Sequence, residues 1–154
     1  MGFRKAVNAT EELSDAYRPG IRALAEADRK RIECAQPLRL RGSVNLETSL
    51  RDQHPDDPIW DYGIGWSIST RVDCAVWIEV HPASSGHVGA VIKKVKWLKD
   101  WLQTSAPALS GLTRGIDGYV WIASGRVLLQ RTSRQARQLA AAGVSFPRER
   151  FILA

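Results

Sequence analysis

The chain has 154 residues, 44% of them hydrophobic and 25% charged, which is the composition of an ordinary globular domain and excludes a disordered or fibrous chain. No apolar run reaches the ~18 residues that a membrane span needs, so a membrane is not expected among its partners. The formal net charge of +6 is uneven: residues 1–77 hold 11 Lys/Arg against 12 Asp/Glu, a net −1, and residues 78–154 hold 11 against 4, a net +7.

Thr10 opens a helical pattern with Glu11 and Glu12 in its first turn, where the helix dipole favours acids. Pro19-Gly20 interrupts it. The spacing of Ile21, Leu24, Ala25, Ala27, Asp28 and Ile32 then predicts a second helix over 19–35, ended by Gln36-Pro37. Residues 39–44 are ambiguous, a short strand being one reading, and Asn45 is placed to cap a short helix over 46–52. The centre reads as a hairpin: residues 60–69 and 74–80 are rich in aromatic and β-branched side chains and are separated by the turn-like Thr70-Arg71-Val72-Asp73. After Pro82, Ser84 or Ser85 is placed to cap the strongest helix of the chain, with Val88, Val91, Ile92, Val95, Leu98 and Leu102 in one stripe. Residues 109–118 read as a loop, 119–123 and 126–130 as two strands about Ser124-Gly125, 133–142 as a helix stopped by Gly143, and 151–153 as a last short strand. Together these predict one α/β domain over residues 1–154.

Strand alternation sorts the hairpin into two faces. Cys74, Val76, Ile78 and Val80 share one face, fit to pack under a helix, while Ala75, Trp77, Glu79 and His81 share the other. In the first strand Tyr62, Ile64, Trp66 and Ile68 are the apolar set, opposite Asp61, Gly63, Gly65 and Ser67. A hairpin turning near residues 71–72 brings Asp61 beside Glu79 and His81, with Gly63 and Gly65 leaving room above the sheet. Two carboxylates held close repel each other unless one stays protonated or a cation settles between them. A divalent ion on such a pair is ordinary apparatus for phosphodiester hydrolysis.

Asp61, a β-hairpin, Glu79-Val80-His81 and then a lysine-rich helix resemble the core of the PD-(D/E)XK nucleases over residues from about 20 to 130. The wider string Trp60-Asp61-Tyr62, Glu79-Val80-His81-Pro82-Ala83, Lys93-Lys94 and Trp97-Leu98-Lys99 resembles a bacterial branch of that family. The resemblance implies a restriction-endonuclease-like fold, with a central mixed sheet built on a β-meander, a crossover helix and flanking helices. It also implies Mg²⁺, with Mn²⁺ as an alternative, held by Asp61 and Glu79. His81 stands where the family has lysine. That departure leaves three readings: a histidine-substituted site, a lysine supplied from elsewhere, or an inactive enzyme. Lys94, on the edge of the apolar stripe, is the first choice for a displaced catalytic lysine and Lys93 the second. Otherwise these lysines are a solvated basic face with snorkelling stems.

The remaining features keep rivals open. Glu79, in an apolar strand, belongs either to a site or to a salt bridge with an arginine. His81 before Pro82 and Asp61 at a strand start each have a structural reading as well. The six tryptophans are core residues by default, but Trp97 and Trp101 fall away from the main stripe beside Lys94, where they would stack bases or form the contact of a homo-oligomer. Arg131, Arg134 and Arg137 are a solvated helix face or, alternatively, phosphate contacts. Ser84, Ser85 and Ser124 lack the context of a serine hydrolase, and Gly63-Ile64-Gly65 is no phosphate loop. Cys34 and Cys74 sit in no metal or redox spacing, and no apolar stretch follows the basic residues at the N-terminus; a cytoplasmic protein with reduced thiols is expected. The expected partner is a nucleic acid, DNA above all, bound through the basic C-terminal half; the rivals are a mere solubility surface, an inactive module that binds nucleic acid or a protein partner, and a homo-oligomer.

Overall fold

The computed structural model describes residues 1–154. Its helices are α1 (Phe3–Asn8), α2 (Glu26–Arg29), α3 (Leu46–Leu50), α4 (Val88–Ser105), α5 (Pro107–Ser110) and α6 (Arg134–Ala141). Its strands are β1 (Ile32–Cys34), β2 (Leu40–Asn45), β3 (Tyr62–Ser69), β4 (Val72–Ala83), β5 (Tyr119–Val127) and β6 (Phe151–Leu153). Strands β2, β3, β4 and β5 form one sheet in that order; the first two pairings are antiparallel and the last is parallel. A parallel neighbour is out of reach of a tight turn, so the chain crosses over through α4 and α5 before entering β5. The architecture is mixed α/β, as expected. Residues 145–148 add an irregular row outside β5, with the Ser145 amide donating to Tyr119 O at 3.0 Å and the Ala123 amide to Arg148 O at 2.8 Å.

The alternation of the hairpin is observed. Tyr62, Ile64, Trp66, Cys74, Val76 and Ile78 lie in one buried cluster with Val120 and Ile122. Ala75, Trp77 and Trp121 lie in the other. The helix, however, covers the face opposite to the expected one. Val91, Val95, Leu98 and Leu102 of α4 pack with Trp77 and Trp121, while the Cys74 face is closed by Ile32, Phe151 and Leu153 of the two-stranded parallel β1–β6 pair. Period-two patterning tells two faces apart but carries nothing about which element covers each. Nor do Gly63 and Gly65 leave open space: the Trp77 ring fills the place of a side chain at Gly63, and Phe3 fills it at Gly65.

The N-terminal third departs furthest from expectation. The first helix is Phe3–Asn8, and Thr10 ends it, its hydroxyl donating back to Ala6 O at 2.9 Å; Glu11 and Glu12 occupy only a single 3₁₀ turn. Of the helix expected over 19–35, only Glu26–Arg29 is helical, and Ile32–Cys34 is drawn into β1 by pairing with the chain's last strand. Residues 119–127 run as one strand through Ser124-Gly125, which form a bulge against β4 instead of a turn. Asn45 caps α3 as expected, accepting from the Thr48 amide at 3.0 Å, and Ser133 caps α6, whose end is closed by Gly143 at φ +87°. Neither Ser84 nor Ser85 caps α4; both lie in or before a 3₁₀ turn, and His87 is its first flanking residue. Cys34 and Cys74 are free thiols. No helix is long and apolar enough to cross a membrane.

Candidate functional site

The β3–β4 register places the two acids. Tyr62 pairs with Ile78, so one step further Asp61, just before β3, stands opposite Glu79. The pairing is reinforced by the side chains themselves. The Asp61 amide donates to Glu79 Oε1 at 3.1 Å, and Asp61 Oδ2 accepts from the Val80 amide at 3.0 Å. Asp61 O also accepts from the Leu46 amide at 2.8 Å, which ties the start of α3 to the same point.

Lys94 completes the cluster. Because α4 covers the Glu79 face, a lysine between the buried Val91 and Val95 leans over the sheet. Its Nζ lies 2.6 Å from Glu79 Oε2 and 3.8 Å from Asp61 Oδ1. Glu79 is wholly buried (0% exposed), whereas Asp61 and Lys94 each keep 21% of their side-chain exposure. The salt-bridge reading of Glu79 therefore holds with a lysine where an arginine was expected. Burial and the neighbouring Glu79 carboxylate push Asp61 up to about 7, against the pull of Lys94 and the Val80 amide. Burial works against the Lys94 ammonium, but the carboxylates of Glu79 and Asp61 outweigh it and raise its pKa above the usual lysine value.

His81 points to the same cluster, Nδ1 lying 3.4 Å from Glu79 Oε2 with 24% of the side chain exposed. Its ring meets Trp121 and His87 edge-on, with centroids 6.5 and 5.2 Å apart. Lys93 is exposed and forms no ion pair, so the structure brings together Asp61, Glu79, His81 and Lys94 and leaves Lys93 outside. Glu47 was not singled out by sequence reasoning. Its carboxylate adds to the field at Lys94 while a fork of hydrogen bonds from Arg51, at 2.7 and 2.8 Å, holds its own pKa down. The only advance signal was the i, i+4 Glu–Arg spacing on a capped helix.

Trp101 takes the core place that is the default for the tryptophans, and Trp97 is half-buried beside it. Trp101 is buried and donates to Glu12 Oε2 at 3.2 Å, and Trp97 stacks on it with centroids 6.0 Å apart. His54 packs edge-on against Trp97, its two ring nitrogens 2.7 Å from Glu12 and 3.0 Å from Asp57. The stripe is wider than the aliphatic residues alone suggest.

No third His, Cys, Asp or Glu side chain completes a metal-ligating cluster here. The donor chemistry nonetheless suits a hard dication, which takes one or two carboxylates and keeps water in its other positions. Asp61 Oδ1 accepts no hydrogen bond, whereas Glu79 Oε2 accepts from Lys94. Asp61 and Glu79 are the residues that would hold such an ion. Compared with family models, with curated proteins and with solved structures, the chain matches none.

Proposed function

We propose that the chain is a divergent, Mg²⁺-dependent nuclease-like protein acting on DNA phosphodiesters. The observation that carries this reading is the convergence of Lys94 on both acids, 2.6 Å from Glu79 and 3.8 Å from Asp61, from a helix that follows the acid-bearing strand. The order of pairings, antiparallel twice and then parallel after a crossover helix, also supports a restriction-endonuclease-like core. Mg²⁺ or Mn²⁺, which Asp61 and Glu79 would hold, would supply polarisation of the phosphoryl oxygen and acidification of water. Lys94 is placed to balance the charge that grows on the phosphoryl oxygens. His81, half-buried at the same strand end with its Nδ1 beside Glu79 Oε2, is the group that would take the proton of the attacking water. Asp61 acts only when ionised.

A second reading keeps the fold as an inactive nucleic-acid-binding module. It is favoured by one observation: the Lys94 ammonium already sits where a cation would settle between the two carboxylates. Incubation of plasmid and linear DNA with Mg²⁺ or Mn²⁺ separates the two. Cleavage that Glu79→Gln, Asp61→Asn and Lys94→Met each abolish supports the enzyme. Wild-type protein that binds DNA but never cuts it in either ion removes the catalytic reading.

A further inference from the structure

The parallel strand pair ends beside a group of arginines that no step above uses. Arg126 lies on β5 at the end of its bulge, Arg131 in the turn before α6, and Arg148 in the irregular row outside β5. With Phe146, Pro147 and Glu149 they line an open groove of about 420 Å³. The groove is built rather than incidental. The Arg131 guanidinium lies over the Phe146 ring at 4.4 Å, and Arg148 is held by Asp117 Oδ1 at 3.2 Å and by the Phe151 ring at 5.4 Å. Arg31 clamps the adjoining bulge, donating to Ala123 O at 3.2 Å and Ser124 O at 3.0 Å. Arg126 and Arg131 make no ion pair, whereas Glu149 is the single acid on the lining, leaving an excess of positive charge. Planar guanidinium forks fixed by rings match the oxygens of a phosphate better than a mobile ammonium does.

Position gives the groove its meaning. His81 pairs with Ala123 on β5, and the Ala123 amide donates to Arg148 O. Arg148 is therefore two strand spacings from His81, roughly 10 Å at about 4.8 Å each. That is within the span of a few nucleotides of one strand, whose rise along the helix axis alone is ~3.4 Å per nucleotide. We infer that the Arg126–Arg131–Arg148 groove is a phosphate subsite for a DNA strand, set a few nucleotides from the phosphodiester held at Asp61, Glu79 and Lys94. The placement relative to a scissile bond rests on the function proposed above; the anion binding does not.

The test is anisotropy of a short fluorescein-labelled DNA duplex in EDTA, where no metal-dependent cut occurs, titrated with salt. Arg126→Ala/Arg131→Ala, at two exposed positions, is compared with wild type and with Arg134→Ala/Arg137→Ala on the neighbouring helix. Each lost phosphate contact lowers the log–log salt slope by about 0.9, so the first pair flattens it by about 1.8 while the second leaves it unchanged. Unchanged affinity and slope in the first pair overturns the subsite, as does a wild type that binds no duplex at low salt. Displacement of the duplex by polyglutamate as readily as by unlabelled DNA overturns it too, in favour of an acidic protein partner. If the slope falls as expected but neither Mg²⁺ nor Mn²⁺ yields cleavage, the subsite stands and the catalytic reading fails. If wild type and the first pair cleave and bind alike, the catalytic reading stands and the subsite fails.

Discussion

Lys94 Nζ lies 2.6 Å from Glu79 Oε2, so the only fully buried charged side chain of the protein is neutralised by a lysine that reaches it from the crossover helix. A buried charge deprived of its partner costs far more than the intact pair contributes. Glu79→Ala and Lys94→Ala are accordingly expected to destabilise the fold by about 3–5 kcal/mol each, Glu79→Ala nearer the lower figure because the lysine it leaves unpaired is part-solvated. Glu79→Gln/Lys94→Met, which removes both charges and keeps the volume, recovers much of that loss. Urea denaturation of Glu79→Gln, Lys94→Met and their double closes the cycle; additivity within about 0.5 kcal/mol contradicts the pairing.

Asp61 gives the fold a definite pH signature. Its carboxyl rises from 3.8 to about 7, so between those values the native state holds a proton that the unfolded chain has released. The stability from this group is fully present below pH 3.8 and is lost as pH rises through about 7. Asp61→Asn keeps an acceptor for the Val80 amide and removes the titration. The stability of wild type relative to Asp61→Asn should fall steadily from acid to neutral pH and then level off. A difference independent of pH contradicts the shifted carboxyl. Any DNA cleavage should rise through the same pH window, since ion binding needs the ionised acid.

His54 runs in the same direction for a different reason. Burial opposes its protonation, but bonds from both ring nitrogens to Glu12 and Asp57 hold its pKa above the ordinary histidine value. Its stabilisation is complete below pH 6.5 and disappears as pH climbs through the raised value. In a ring-proton NMR titration His54 should lose its proton at higher pH than a free histidine, and Glu12→Gln should bring it down. A midpoint unmoved by Glu12→Gln would count against the carboxylate bond.

Gly65→Ala tests the close approach of α1 to the sheet. A methyl group there meets the buried Phe3 ring, so the change is expected to cost about 1–3 kcal/mol in urea denaturation. Phe3→Ala/Gly65→Ala should cost less than the sum of the two single changes, because removing the ring opens the space the methyl needs. Strict additivity would contradict the contact.

Much of the site was legible because its residues are close in sequence. Asp61 and Glu79 sit on one hairpin, where alternation alone fixes their common side, and a lysine on the edge of the next helix's apolar stripe has few directions to lean. What covers each face was not legible. Ile32–Cys34 is a strand only because Phe151–Leu153, at the far end of the chain, lies beside it, a pairing that leaves no mark on local periodicity. The same holds at Ser124-Gly125, where a turn signal was overridden by the parallel ladder with β4. Trp101 was misplaced because an aliphatic stripe undercounts what a large ring with one polar atom buries; its partner Glu12 comes from outside the helix.

Lys94 owes its position to Val91, Val95 and Leu98, which seat α4 on Trp77 and Trp121. One residue of slippage turns the helix by about 100° and advances it by about 1.5 Å, enough to carry the ammonium off both acids. A mutational scan selecting for whatever Lys94 does would therefore score these three hydrophobic positions as sharply as Lys94 itself. Loss of function at a valine or leucine in such a map would mark the seating of the lever and not a contact with the ligand.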